Sequence, residues 1–343
     1  MAKISISVDG GALINNEHQQ YGNYVFTRNL LLALGRVDKK NSYTLYLQNK
    51  ISNFDAFKHK IIKPIFGWLK TWVTVEEITN PKDVFLATNQ ALPLYTKAGK
   101  IVFCHGIAPL LYPQLYPDSH KQMKQQIKDM IQRADNIIVG SVKLKEELNK
   151  VANNKNKDLK ISVLNYGIPN PFIEASKRFK KKNILLYVGS SHAIKNLSFI
   201  LDSFSYFVKL PKYQNYKLAL AGVSNNLTIA KNIKDKIIIF NHVNHDELLK
   251  LYNESRCLLS ASLYESFNLP VLEALSQNTN VVGTNSAIVP ELLPYVRISP
   301  DSPIKFAQNI KYEIENPKKI NLKKLRKQFN WDNFAKKLVN MYT

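Results

Sequence analysis

Two glutamates, Glu265 and Glu273, are the residues whose type and spacing are best suited to chemistry in this sequence. An apolar run ends near Ser260 and a helical pattern begins near Pro270, so Glu265 falls in a loop and Glu273 lies about one turn inside the helix. Proline is tolerated in a first helical turn, and Asn268 is a suitable cap. A carboxylate accepts hydrogen bonds from two vicinal hydroxyls, so both glutamates suit the recognition of a sugar or a ribose.

The start of this helix is itself a candidate binding site. Amides in a first helical turn have no partner within the helix, and they suit an anion such as a diphosphate. Both glutamates can face one pocket if the helix follows a strand of a parallel sheet, because ligands bind at the carboxyl edge of such sheets. A purely structural explanation stays open, since a glutamate in a first turn is electrostatically favourable without any function.

Short apolar runs alternate with helical patterns along the whole chain. This alternation predicts an α/β fold with parallel sheets that carry helices on both faces. In the first half the predicted strands are Lys3–Val8, Tyr43–Leu47, Asp83–Ala87, Ile101–Cys104, Asn136–Val139 and Ile161–Leu164, and the predicted helices are Tyr24–Leu34, Ser119–Arg133 and Val142–Val151.

The pattern restarts after a charged segment, Lys177–Lys182, which predicts a second doubly wound domain. A length of 343 residues also suits two cores of about 150 residues each. The predicted domains are residues 1–172 and 183–330. The second contains the predicted strands Asn183–Val188, Lys217–Ala221, Ile237–Phe240, Cys257–Ser260 and Asn280–Val282 and the helix Leu197–Val208, and a last helix covers Trp331–Tyr342.

The composition is strongly basic, with 48 Lys and Arg against 26 Asp and Glu and a net charge of +22. Such a surface attracts polyanions. A general bias of the sequence toward Lys, Asn and Ile explains part of the positive charge, so the charge alone does not identify a partner. No apolar run reaches the roughly 18 residues that span a bilayer, and no signal peptide is visible. Two cysteines, Cys104 and Cys257, predict a reducing compartment without a disulfide, and no Cys/His spacing suggests zinc.

Taken together with Phe267–Pro270 between them, Glu265 and Glu273 resemble the E-x7-E motif of GT-B glycosyltransferases of family 4. The resemblance implies two doubly wound Rossmann-like domains facing across a cleft, with residues 331–343 returning to the N-terminal domain. Further blocks follow in the order of that family: Tyr21–Tyr24, Cys104–Gly106, Ala134–Ser141, Val163–Gly167, Leu186–Gly189, Lys195–Leu197, Asp246–Tyr252 and Phe329–Trp331.

The same resemblance implies a role for each matching residue. Glu273 would hold the ribose hydroxyls of a nucleotide-sugar donor, and Glu265 would bind the hydroxyls of the transferred sugar. Lys195 would neutralise the leaving diphosphate, and His105 would point at the donor sugar. Glu265, His105 and Lys195 are therefore the candidate catalytic residues. The remaining candidate donor-binding residues are Gly22, Gly189, Ser190 and Val243 and the amides of Phe267, Asn268 and Leu269.

Some of these residues also allow simpler explanations. Lys195 could be an ordinary exposed lysine, His105 a histidine satisfied inside a core, Gly22 a turn residue and Ser141 a helix cap.

The sequence departs from the family at two positions. The segment Gly189–Lys195 contains no arginine, so diphosphate binding would depend on Lys195, the helix amides and His192. The usual His-Asp pair is His105-Gly106, which removes an acidic residue on the acceptor side.

The implied activity is retaining transfer of a hexosyl unit from a nucleotide-diphosphate sugar to a glycan or lipid-linked acceptor, with no cofactor and no metal ion. The sequence has no Asp-x-Asp motif, so protein donors would have to meet the charge of the leaving group. No carboxylate is a convincing nucleophile, which favours front-face transfer through an oxocarbenium-like state. Closure of the domains would exclude water. We expect a place in bacterial surface polysaccharide or glycolipid synthesis.

Four rival interpretations remain. One is a catalytically dead module that resembles the transferases, although the intact set of Glu265, Lys195 and Glu273 argues against it. An epimerase on the same fold would need the donor alone and no acceptor. A phosphorylase of this architecture would normally carry pyridoxal phosphate and have a longer chain. The basic charge could instead mark a nucleic-acid-binding protein, but the sequence shows no helix-turn-helix, RNP motif or zinc finger, which argues against a nucleic-acid partner.

The segment Phe57–Trp72 mixes lysines with Phe66, Trp68 and Trp72. Basic and aromatic side chains together suit a membrane interface. A partly buried connection between a strand and a helix explains the segment equally well. We expect a cytoplasmic protein attached peripherally to an anionic surface on the inner face of the cytoplasmic membrane.

Overall fold

The computed structural model describes residues 3–13, 22–52, 54–64, 67–152, 159–173, 179–224 and 227–343. Tyr21, Phe66 and Lys177, which belong to the predicted glycine-rich loop, the basic aromatic segment and the charged linker, lie outside these ranges. The chain forms two compact units, residues 1–167 with 329–343 and residues 168–328. Across the described ranges, no helix combines the length and the apolar character needed to cross a membrane.

The first unit is built on a seven-stranded parallel sheet in the order β3-β2-β1-β4-β5-β6-β7. Its central strands are almost wholly buried, as expected of a parallel sheet covered on both faces. The strands are β1 Ser5–Asp9, β2 Ser42–Leu47, β3 Lys58–Ile61, β4 Val84–Ala87, β5 Gly99–Cys104, β6 Asn136–Val139 and β7 Lys160–Val163, and the helices are α1 Gly22–Val37, α2 Thr74–Thr79, α3 Ala108–Leu111, α4 His120–Arg133 and α5 Val142–Ala152.

The second unit has a six-stranded parallel sheet in the order β10-β9-β8-β11-β12-β13. A core of leucine, isoleucine and phenylalanine side chains packs between this sheet and the helices α7 and α10. Its helices are α6 Asn170–Ile173, α7 Leu197–Val208, α8 His245–Glu254, α9 Leu269–Ser276, α10 Pro303–Glu315 and α11 Leu322–Gln328, and its strands are β8 Ile184–Val188, β9 Lys217–Ala221, β10 Ile237–Phe240, β11 Cys257–Ser260, β12 Asn280–Thr284 and β13 Arg297–Ser299.

The strand order of the second unit reverses between β8 and β11, which are hydrogen-bonded neighbours. From β8 the chain winds outward through β9 and β10, and from β11 it winds the other way through β12 and β13. Ligands of open α/β sheets bind outside the carboxyl ends of the strands at such a reversal. The segments that follow Val188 and Ser260 therefore lie where a ligand is expected.

The last helix, α12 Trp331–Val339, packs on the first unit. The buried ring of Trp331 lies edge-on to Phe26 with 5.5 Å between centroids, and Phe334 stacks on Phe103 at 6.2 Å. Asp332 accepts a hydrogen bond from the Arg36 guanidinium at 2.6 Å. Aromatic burial therefore fixes this helix, and the exposed ion pair adds little.

Replacing Gly167 by alanine is expected to destabilise the first unit. A Cβ at this position would overlap both the indole ring and the backbone nitrogen of Trp331. Crowding of this kind in a packed core costs about 2 kcal/mol, and urea unfolding would measure the loss. Gly99→Ala is the matched control because its Cβ would meet its nearest atom at an ordinary 3.6 Å. Equal losses in the two variants would contradict the steric explanation.

Candidate functional site

The loops that follow β8 and β11 are fastened to each other at the reversal point of the second sheet. A single helical turn, Ala193–Lys195, follows β8 and ends at Asn196, whose left-handed backbone has a φ of 52°. The Asn196 side-chain amide donates to the carbonyl of Ala261 at 3.1 Å, and the Leu263 amide donates to the carbonyl of Ile194 at 2.8 Å. These bonds fix the position of Lys195 relative to the loop after β11.

Lys195 and Glu265 form an ion pair across these two loops. The Lys195 Nζ donates to the Glu265 Oε1 at 2.6 Å, and the two side chains are 29% and 12% exposed. Burial, helped by the charge of Glu265, raises the pKa of the neighbouring Tyr187 phenol well above its usual value. The pair therefore sits in a poorly solvated place that still opens to solvent, where an ammonium can serve an anionic ligand.

The backbone around Gly189 is tightly packed against a second glycine. Gly222 has a φ of +84°, which favours glycine, and a Cβ there would meet the Gly189 carbonyl oxygen at 3.2 Å. The Tyr187 hydroxyl donates to the Ser190 carbonyl at 2.9 Å. Ser190 itself is exposed. A Cβ at Gly189 would meet the Tyr187 hydroxyl at 3.0 Å, so internal packing favours a glycine here, and the exposed Ser190 hydroxyl accepts from the His192 amide at 3.4 Å.

Asn268 caps helix α9, as the sequence predicts. Its Oδ1 accepts from the Val271 amide at 3.4 Å, while its Nδ2 donates to the Ser260 hydroxyl at 2.9 Å and to the Ala287 carbonyl at 2.8 Å. Asn268 adopts a left-handed backbone with a φ of 69°, a conformation that asparagine tolerates better than most residues. Asn268 therefore connects the first turn of α9 to the end of β11.

Glu273 is buried, and it is paired with a tyrosine from the preceding helix. Its Oε2 accepts a hydrogen bond from the Tyr252 hydroxyl at 2.8 Å, and the Tyr252 ring lies edge-on to Phe172 with 5.7 Å between centroids. Burial raises the pKa of Glu273 to about 7, and the hydrogen bond from Tyr252 works in the opposite direction. Close to neutral pH this carboxyl group is therefore poised between its protonated and charged forms.

The two glutamates of the motif thus engage different partners, Glu265 with Lys195 and Glu273 with Tyr252. Sequence reasoning placed Tyr252 in a matching block but did not identify it as the partner of Glu273. Among the described residues, no group of three His, Cys, Asp or Glu side chains is arranged to hold a metal ion. The other predicted residues of this unit are Phe267, which is buried, and Leu269 and Val243, which are half-buried.

His105 belongs to the first unit, directly after β5, and both of its ring nitrogens have partners there. Nε2 lies 2.7 Å from the Thr88 carbonyl oxygen and must donate to it, which leaves Nδ1 to accept from the Tyr166 hydroxyl at 3.2 Å. The ring also packs edge-on to Phe26 at 4.7 Å. Burial lowers the pKa of His105 to about 4, so the imidazole is neutral at pH 7. These contacts are those of a histidine satisfied inside its own unit.

Gly22 and Ser141 lie at the starts of two helices in the same unit. Gly22 is the exposed first residue of α1, and a Cβ there would meet none of the described atoms within 4 Å. The Ser141 hydroxyl accepts from the Leu144 amide at 3.2 Å, which confirms its predicted capping role.

The described residues of the segment Phe57–Trp72 have both an internal and an external face: Phe57, Ile62 and Leu69 are buried, whereas Ile61, Trp72 and the four lysines are exposed. Phe57 is buried, and an unpredicted edge strand, Lys58–Ile61, follows it. The Trp68 indole nitrogen donates to the Asp9 carboxylate at 3.0 Å. Of the two tryptophans in the segment, Trp72 is exposed and Trp68 is half-buried.

The buried carboxyl group of Glu273 predicts a pH-dependent stability. The native state holds its proton up to about pH 7, whereas the unfolded chain releases it near 4.5. Between those values the native state binds more protons, so stability falls as pH rises, by about 3 kcal/mol in total. Glu273→Gln lacks this ionisation and should gain that amount over the wild type between about pH 5 and about pH 8 in urea unfolding. A stability difference that does not change with pH would contradict the assignment.

Comparison with known proteins finds a family model that matches part of this chain. Residues 169–331, which include Lys195, Glu265 and Glu273, match the family model described as Glycosyl transferases group 1. The chain is 25% identical to an uncharacterized glycosyltransferase of Methanocaldococcus jannaschii over 60% of its own length, and 26% identical to the O-antigen chain mannosyltransferase RfbU of Salmonella typhimurium over 62%. Each alignment covers 59% of the relative's own length, so this chain matches little more than half of each relative.

The fold is shared across nearly the full chain with solved structures. Sucrose-phosphate synthase from Thermosynechococcus elongatus aligns with a TM-score of 0.72 at 13% identity, covering 99% of this chain and 98% of that one. At this identity the likeness establishes the fold alone. The two doubly wound units thus have the GT-B fold that the sequence motifs implied.

Proposed function

Because residues 169–331 match the family model Glycosyl transferases group 1, we propose that the protein transfers a hexosyl unit from a nucleotide-diphosphate sugar to a glycan or lipid-linked acceptor. The observation that carries this proposal is the ion pair between Lys195 and Glu265 at 2.6 Å. It joins two motif residues from distant parts of the sequence, and it lies where the strand order of the sheet reverses. Such a position suits a ligand that carries both a diphosphate and a sugar.

The donor would be held from both sides of this reversal. The Glu273 carboxylate suits the two hydroxyls of a ribose, because one carboxylate can accept from both. The amides of Phe267, Asn268 and Leu269 at the start of α9 would meet the diphosphate, because Pro270 has no N–H and the Val271 amide donates to the Asn268 Oδ1. Gly189 and Ser190 would meet the phosphates from the β8 side, and Val243 would lie beside the base. Glu265 would accept from hydroxyls of the transferred sugar.

Transfer requires that the leaving nucleoside diphosphate be stabilised as it gains charge. Lys195 would supply the positive charge, and Glu265 would hold its ammonium in place in a poorly solvated setting where it acts strongly. We propose transfer with retention of configuration and without a bound metal ion, on the front face of the sugar. The departing phosphate oxygen would then take the proton of the acceptor hydroxyl. NMR of the product anomer and transfer in the presence of EDTA test these two points.

The proposed acceptor and location depend on the curated relatives and on the net charge of this chain. RfbU is described as an O-antigen chain mannosyltransferase, which supports a role in bacterial surface polysaccharide synthesis and makes a mannosyl donor worth testing first. We assign the acceptor to the first unit and the donor to the second. A net charge of +22 favours a cytoplasmic protein that is held peripherally on an anionic membrane surface. His105 and Gly22, both in the first unit, remain predicted site residues, and substitution would test each of them.

A thermal-shift screen against nucleoside diphosphates and nucleotide sugars, without added metal, tests the proposal directly. A ligand bound only by the folded state raises Tm, so one base and one sugar should stand out. Incubating that nucleotide sugar alone then separates transfer from epimerisation, because an epimerase would convert the donor without any acceptor. The absence of a shift with every member of the panel would overturn the proposal.

A further inference from the structure

A helix on the first unit carries large apolar side chains on its solvent side. The turn Leu69–Val73 continues into α2, and Trp72, Val75 and Ile78 recur at every third position. This spacing places the three on one stripe of the helix. They are between 40% and 55% exposed, so the stripe faces solvent. A helix that packed only against its own core would show polar residues there.

A neighbouring loop extends this stripe. The Leu94 amide donates to the Thr74 hydroxyl at 2.9 Å, and the Thr96 hydroxyl donates to the Glu77 carboxylate at 2.5 Å, so the loop is fixed to α2. Leu94 and Tyr95 are 59% and 51% exposed. Together the two elements form what we call the apolar patch: Trp72, Val75, Ile78, Leu94 and Tyr95.

Along the chain, the exposed charged side chains within two residues of Trp72 and Tyr95 are lysines. The acidic residues of α2 are neutralised or internal: Glu76 pairs with Lys60 at 3.0 Å, and Glu77 is buried. Lys70 on the helix and Lys97 on the loop are exposed. The patch therefore combines apolar area, a tryptophan, a tyrosine and lysines.

We propose that the apolar patch binds the surface of an anionic lipid bilayer, with its helix lying in the plane of the interface. Tryptophan and tyrosine prefer the level of the headgroups, and lysines nearby are attracted to anionic lipid. A second copy of this chain is a poorer occupant, because each copy carries a net charge of +22 and the exposed charged side chains next to Trp72 and Tyr95 along the chain are lysines. The inference deepens the proposed peripheral location by naming its contact surface.

Flotation of the full chain with vesicles tests this assignment. Wild type should float with vesicles of phosphatidylglycerol and phosphatidylethanolamine in equal parts at low salt, and much less with phosphatidylcholine alone. The triple variant Trp72→Ser/Val75→Ser/Ile78→Ser should bind about tenfold less to the anionic vesicles. The control is Tyr206→Ser/Leu293→Ser/Ile304→Ser, three comparably exposed apolar residues of the other unit, and it should float like wild type.

Nucleotide-sugar thermal shifts, measured on the same three proteins, separate this inference from the proposed function. Equal shifts in all three, with flotation lost only in the patch variant, would support both. If flotation depends on the apolar patch but none of the proteins shows a thermal shift, the membrane contact is supported and the proposed function is contradicted. Flotation of the patch variant at the level of wild type would overturn the inference, and so would a wild-type dimer that the patch variant converts to a monomer.

Discussion

Substitution of Glu273 by glutamine is expected to remove most of the thermal stabilisation that the donor gives, with a loss of about hundredfold in affinity. The Oε2 of this carboxylate is occupied by the Tyr252 hydroxyl, so Oε1 is the atom left to meet the vicinal hydroxyls of a ribose. Glutamine keeps the shape and can still accept from Tyr252. It loses the charge that strengthens hydrogen bonds to the ligand. Titration of Tm against the donor found in the screen measures the effect.

The same site should make donor binding depend on pH. Burial raises the pKa of Glu273 to about 7, so the charged form that a diol prefers grows as pH rises through neutrality. Donor affinity should therefore rise with pH in the wild type and stay flat in Glu273→Gln. Tyr252→Phe removes the hydrogen bond that lowers this pKa, so its pH midpoint should move upward. A merely structural role for Tyr252 would change affinity without moving the midpoint.

Glu254→Gln is the control for these measurements. Glu254 is another poorly exposed carboxylate, at the end of α8, and it pairs with Lys182 instead of facing the proposed donor. Its substitution should leave the donor-dependent Tm shift unchanged. Unchanged donor binding in Glu273→Gln, even with transfer lost, would contradict the ribose role.

The sequence predicted the strands that are buried on both faces, because burial requires a run of apolar residues. Strands such as β4 and β11 are short apolar runs because helices cover both faces of the sheet. The two strands that the sequence did not reveal, Lys58–Ile61 and Arg297–Ser299, are both edge strands. Edge strands are short and often charged, which restrains pairing with another chain. Their composition hides them from a search for apolar runs.

The candidate site was predictable only in part, for a related reason. The types and spacing of Glu265, Glu273 and Lys195 are visible along the chain, and so is the cap at Asn268. The partners of these residues come from packing. The contact between Tyr252 and Glu273 depends on how α8 lies on α9, and the internal bonding of His105 depends on strands that are distant in sequence. The sequence thus predicted the candidates better than their contacts.

Lys195→Ala is expected to slow the reaction about 10²- to 10³-fold while weakening donor binding much less. The leaving diphosphate carries more charge in the transition state than in the bound donor, so a cation aimed at it lowers the barrier. The Lys195 side chain is only 29% exposed, and its ammonium is already fixed by Glu265. The protein therefore need not reorganise when charge develops. Release of nucleoside diphosphate from the donor in water would measure the rate of bond cleavage, and the Tm titration would measure donor binding, before any acceptor is known.

Lys182→Ala provides the matched comparison, because Lys182 forms an ion pair of the same kind with Glu254 at 2.8 Å in the same unit. That pair is not part of the proposed donor site, so Lys182→Ala should leave kcat unchanged. Glu265→Gln would keep a hydrogen-bond acceptor near Lys195 but remove its counter-charge, so its effect should depend on the presence of Lys195 and be smaller in the Lys195→Ala background. Full additivity of the two substitutions would mean that Glu265 acts on the sugar alone. An unchanged kcat in Lys195→Ala would remove the lysine from the mechanism.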